Sequence, residues 1–299
     1  MGTNGKVESN KSSFTSTKKI IFAIVGVIDV IALIAFTFWM LQLHALYPGH
    51  FGFTIDWNNL YLQAEGLVWT FTLIMILFFF TIGIFFLVEA RTTENEARKN
   101  FHFGMMLFLI FVGLALLTSL LYSIFAAMGI TIFPDAIPGV MQGYFSWLFT
   151  LGAISMIYLL YCIEKYLKHR ENKFLTKMIV ILMCFGVISI IFSYIPAITY
   201  GQWYQVGGQI FLFLPSIGSM VGGMYILIIY RRLAVQSSGE LRAASLRIAI
   251  GFLIAMTGSI LHMYGSYIVF PFSWIIFISI TIIGVIILIQ GYIRMPYDE

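Results

Sequence analysis

Between Lys177 and Arg231 the chain contains no charged residue. As one helix that stretch would be ~80 Å long, more than twice the ~30 Å hydrocarbon core of a bilayer. It therefore has to fold back on itself. The break falls at Pro196 to Gly208, where Tyr200, Trp203 and Tyr204 supply the aromatic belt expected at a membrane surface. The same argument divides the uncharged stretch from Arg247 to Arg294, with its turn near Tyr267 to Ser273 around Pro271.

Four more apolar runs precede these hairpins: Ile20 to Tyr47, Gly66 to Glu89, Phe101 to about Gly129, and Val140 to Leu167. Each is one crossing long. With 60% hydrophobic and 10% charged residues, the chain cannot be a water-soluble globule, whose charged share is about 25%. All 17 Lys and Arg fall before the first crossing, after the second, fourth and sixth, or at the end, whereas the opposite connections hold only Asp56, Glu65 and Asp135. By the positive-inside rule this predicts an all-α polytopic membrane bundle of eight transmembrane helices with both termini cytoplasmic, located in the cell membrane. Residues 1–19, polar and rich in Ser, Thr, Asn and Lys, read as a disordered cytoplasmic tail, 20–294 as the eight-helix domain and 295–299 as a cytoplasmic C-terminus. The net charge of +4 is then a consequence of orientation and gives no support for nucleic-acid binding.

One acid interrupts the first run. Asp29 stands ~15 Å beyond the flank formed by Lys18 and Lys19, at mid-bilayer depth, where an acid costs about 2.5 to 3.5 kcal/mol on insertion scales. It is expected to turn away from lipid and to find a partner or a proton, either as a proton or cation site or as a hydrogen-bonded link between helices. His262 is the second polar landmark, with Ser259 and Ser266 on its helical face to orient it. His44 lies at a comparable depth near the outer end of the first run, and the pair His44 and His262 could bracket a haem or hold a quinone. His102 and His169 fall at the basic edge and read as solvated, and Cys162 and Cys184 read as small core hydrophobes. The loop from Pro48 to Glu65 carries His50 and Asp56, but no spacing there matches a metal cage.

Small residues cluster. Gly218 and Gly222, with Ser219 and Gly223 beside them, form a GxxxG-type face on the sixth span, and Gly251, Ala255, Ser259 with Gly258, His262, Gly265 give the seventh a similar flank. Such faces let helices approach closely in lipid, and packing within the bundle is the simpler use of them. Pro215 is expected to kink the sixth span. Phe145-Ser146-Trp147 recurs as Phe272-Ser273-Trp274 at the start of the eighth span, and Ser119 to Tyr122 resembles Ser259 to His262, the pattern of a parallel four-plus-four repeat.

The sequence contains no HExxH, GxSxG, P-loop or paired-Asp motif, and no Lys within a span for a retinal Schiff base, so the reading leans away from an enzyme. Two functional classes stay open. One is a small proton- or cation-linked carrier built on Asp29. The other is a quinone- or haem-binding, or accessory, subunit of a membrane redox or sensory complex. The expected surroundings are the lipid bilayer, with a homo-oligomer or a partner in a membrane complex both compatible. The sequence names no cofactor.

Overall fold

The computed structural model describes residues 4–46, 65–128, 142–168, 173–193, 202–264 and 273–296. Among them there are eight α-helices: α1 (Asn4–Leu46), α2 (Glu65–Thr92), α3 (Glu96–Ala127), α4 (Gln142–Cys162), α5 (Phe174–Ser193), α6 (Gln202–Gln236), α7 (Gly239–Tyr264) and α8 (Ser273–Ile293). Each contains a stretch long and apolar enough to cross a membrane. An apolar helix satisfies its own backbone, which is why such runs take this form in lipid. The eight helices mark a multi-pass integral membrane protein. The helix of α1 begins N-terminal to its apolar run and takes in most of the polar segment that precedes it.

Successive helices are antiparallel neighbours, and the basic residues meet at one end. There the start of the apolar span of α1 touches the end of α2 through Lys18 and Glu89. The start of α3 touches the turn that follows α4 through Glu96 and Lys165, and Tyr230 at the end of α6 packs on Tyr292 at the end of α8. The start of the α1 apolar span and the end of α8 thus share one end of the bundle.

Helices α2, α3, α4, α6, α7 and α8 form a closed ring, completed by contacts of α4 with α6 and of α2 with α8. Its core joins Phe79 and Phe86 from α2, Met105 and Leu109 from α3, Leu159 from α4, Tyr230 from α6, Phe252 from α7 and Leu288 from α8. Helix α1 lies outside on α2, and α5 lies outside on α4 and α6. Only 6% of the α1 span is buried, against 44% for α3 and α8, so α1 is an appended helix. The neighbour pattern repeats after four helices: α1 on α2 matches α5 on α6, α2 to α4 match α6 to α8, and α4 with α6 matches α8 with α2. A parallel four-plus-four repeat requires this arrangement. The departure is that α5 also packs on α4, whereas α1 has no comparable packing on α8.

The small residues are used inside the bundle. A Cβ on Gly218 would meet Leu182 of α5 at 3.0 Å, one on Gly222 would meet Ile179 of α5 at 2.9 Å, and one on Gly223 would meet Met256 of α7 at 2.7 Å. Helices α7 and α8 approach most closely. A Cβ on Gly251 would lie 2.7 Å from the carbonyl oxygen of Gly284, and one on Gly291 would lie 2.8 Å from the amide nitrogen of Ile248. Gly251 and Gly258, like Gly284 and Gly291, are seven residues apart, the spacing that keeps one seam facing the partner along two antiparallel helices. The flank expected on Ser259 is instead exposed, because the contact stripe runs through Gly251, Ala255 and Gly258. Helix α6 runs through Pro215, against which Gly186 of α5 packs with no room for a side chain. Gly239, at φ +60°, opens α7 in a left-handed conformation that costs other residues about 1 to 2 kcal/mol.

Candidate functional site

Helix α1 meets its neighbours along a single stripe. Lys18, Phe22, Asp29, Phe36, Met40 and Leu43 recur at multiples of about 3.5 residues and contact α2 or α3, with Leu33 and Trp39 packing at the edge of the same stripe. Asp29 lies on that stripe. Its carboxylate Oδ2 accepts a hydrogen bond from Thr81 Oγ1 of α2 at 2.5 Å, and both residues are half-buried. The expectation that this acid turns toward protein is met, with a neutral hydroxyl as the partner.

The seam around the pair is layered. Toward the basic end, Phe22 and Phe85 pack with ring centroids 5.7 Å apart. Beyond them, ~16 Å along α1 from Asp29, Lys18 Nζ bonds Glu89 Oε1 at 2.5 Å. Thr81, Phe85 and Glu89 are four residues apart on α2, so all three face α1. Toward the opposite end, Phe36, Met40 and Leu43 pack on Trp69, Leu73 and Ile76 of α2 and on Leu120 and Ile124 of α3, an apolar plug without charge. A lone mid-span carboxyl group is thus bracketed by apolar layers, with an ion pair beyond the thinner one.

The other expected site residues are dispersed. Ser259 is exposed on α7, and His44 is exposed at the end of α1. His262 belongs to the last turn of α7, but its side chain lies outside the described residues, as does Ser266. The loop residues His50 and Asp56, and His169, also lie outside them. Asp29 therefore stands with Thr81, and the structure does not bring it together with Ser259.

Two expectations are corrected by burial. His102, read as solvated, is 1% exposed and sits against Phe86 at 5.5 Å between centroids, because α3 begins at Glu96 and turns this position toward α2. Cys184, read as a core residue, is exposed on α5, while Cys162 is buried and donates to the carbonyl of Asn100.

The sequence reading also passed over Glu164. It is fully buried in a π-helical turn, Ile163–Leu167, that continues α4. Its Oε1 accepts the Leu175 amide at 3.1 Å, and its Oε2 accepts the Thr176 amide at 3.0 Å and the Thr176 hydroxyl at 2.6 Å. These are first-turn donors of α5 with no intrahelical acceptor, so Glu164 caps a helix from a neighbouring element. Beside it, Tyr166 donates to Glu96 Oε1 and accepts from Asn100 and Lys165, and Tyr158 donates to Asn100 Oδ1. The wide turn places Glu164 inward and Tyr166 toward α3. Its sequence signal was an acid one residue before Lys165, too close to the basic cluster to stand out.

Comparison of the chain with protein families, curated proteins and solved structures finds no match.

Proposed function

We propose that this membrane protein is a small proton- or cation-linked carrier in which Asp29, supported by Thr81, is the binding group at the α1–α2 seam. The observation that carries the reading is the hydrogen bond between Asp29 and Thr81 at mid-span, flanked by the Phe22–Phe85 layer on one side and the Phe36–Trp69 plug on the other. A carboxyl group at that depth gains from binding a proton or cation, since each removes an uncompensated charge from an apolar setting. In such a carrier the basic end faces the cytoplasm, the orientation that the positive-inside rule favours. Phe22 and Phe85 are the thinner barrier, and the loosely held α1 is the element whose displacement opens it. Thr81 supplies a donor to the ionised carboxylate and an acceptor to the protonated acid, so one partner serves both states.

The test is flux in proteoliposomes under an imposed pH or sodium gradient, read with a trapped pH or sodium dye. The wild type should dissipate the gradient, Asp29→Glu should retain activity, and Asp29→Asn should lose it. An Asn variant with unaltered flux would refute the reading.

A further inference from the structure

Arg231, Arg232 and Arg242 stand exposed on the α6–α7 hairpin and make no ion pair among the described residues. Cations at the neighbouring helix ends are engaged: Lys18 with Glu89, Lys165 with Glu96, and Lys173 over the ring of Tyr161. The three arginines lie six, five and four residues from the Ser237–Ser238 turn that joins the two helices. At ~1.5 Å per residue they share one height to within ~3 Å. Arg231 closes the uncharged stretch that follows Lys177, which sets that height at the headgroups of the leaflet. One exposed acid, Glu240, opposes them, and Arg247 is half-buried ~8 Å further along α7 from Arg242.

The apolar surface beneath these charges is continuous with them. On α7 the exposed residues Ile250 and Leu246 lead at intervals of four to Arg242, and on α6 the exposed Met224 and Ile228 lead at intervals of four and three to Arg231. Gly223 of α6 lies against Phe252 and Met256 of α7, where the two helices touch. At roughly 100° per residue both stripes lie about a quarter-turn from that contact, and because the helices run antiparallel they fall on the same side of it. They therefore flank one groove on the outside of the ring, with Arg231 and Arg242 at its mouth and Arg232 at the rim. Unpaired positive charge above two apolar walls matches an amphiphile with an anionic head, and guanidinium groups suit a phosphate.

We propose that this groove seats an anionic glycerophospholipid from the leaflet at the basic end, with its phosphate between Arg231 and Arg242 and its acyl chains along the two stripes. The site is independent of the carrier reading, since it uses neither Asp29 nor Thr81.

The test is native mass spectrometry of the purified protein from detergent micelles doped equally with dioleoyl phosphatidylglycerol, phosphatidylcholine and phosphatidylethanolamine. An arginine at a membrane surface multiplies anionic-lipid binding by about fivefold, so with Glu240 opposing them the arginines should enrich phosphatidylglycerol at least about tenfold over both zwitterionic lipids. Arg231→Gln and Arg242→Gln should each cut that excess about fivefold, and the double variant should return the bound ratio to near that of the micelle. Arg91→Gln with Lys99→Gln removes two charges from α2 and α3 at the same end of the bundle and should leave the excess in place. All four of these side chains are exposed, so no variant deletes a buried contact. Equal retention of the three lipids by the wild type, an excess that survives the double substitution at Arg231 and Arg242, or an equal loss in the Arg91 and Lys99 variant overturns the proposal.

Discussion

Replacing Glu164 by Ala removes the acceptor for three donors at once: the amides of Leu175 and Thr176 and the Thr176 hydroxyl. Both amides sit in the first turn of α5, where the helix offers them no carbonyl. Leaving a buried donor unsatisfied costs about 1 to 3 kcal/mol, and water entering the vacated space at the bundle end recovers part of that. A total of about 3 to 5 kcal/mol is expected, the range seen when one member of a buried charged contact is removed. Glu164→Gln keeps one acceptor oxygen but turns an NH2 group toward a donor, for about 2 kcal/mol. Thr176→Val loses one hydroxyl bond, for about 1 kcal/mol. Hydrogen exchange at residues 175 and 176, followed by mass spectrometry in detergent, reads the cap directly because these amides depend on Glu164. Since 1.4 kcal/mol is a factor of ten, exchange should quicken at least about a hundredfold in Glu164→Ala and about thirtyfold in Glu164→Gln. Wild-type exchange rates at both amides in the Ala variant would show that Glu164 does not hold the start of α5.

Other outcomes follow from the packing. Gly251→Ala and Gly284→Ala each place a methyl against the backbone of the opposite helix and should destabilise the protein by at least about 1 to 3 kcal/mol in SDS titration. Gly26→Ala has nothing within 4 Å and should be neutral or stabilising by up to about 1 kcal/mol, so equal effects at the three glycines would contradict the α7–α8 contact. Thr81→Val should weaken the α1–α2 seam by about 1 to 3 kcal/mol, and pairing it with Asp29→Asn in a double-mutant cycle should reveal non-additivity. Reporter fusions at the two termini should both report the cytoplasmic side, and opposite-side signals would break the even helix count.

How much of this was readable beforehand depends on the length scale of each signal. The division into eight apolar helices follows from apolar runs and charge placement, both local to the chain, and the position of Asp29 within its run follows by counting residues from Lys18. The direction in which Asp29 points does not follow. The apolar span of α1 carries hydrophobic residues on all sides, so no strong asymmetry marks the stripe of Phe22, Asp29 and Phe36 until α2 is laid against it. The partner, Thr81, is 52 residues away and is one of several hydroxyls that span depth alone could not separate.

What the sequence by itself determined is the solvent of this protein and the number of its helices long and apolar enough to cross it, because a bilayer imposes its thickness on every segment separately. Only the tertiary structure decided which helices form the ring and which stand outside. It also placed His102 in the core and Glu164 beneath α5, and it used the glycines of α7 to seat α8. Those outcomes depend on close contacts between segments remote in sequence, and van der Waals packing and hydrogen-bond geometry are settled only when both surfaces are present.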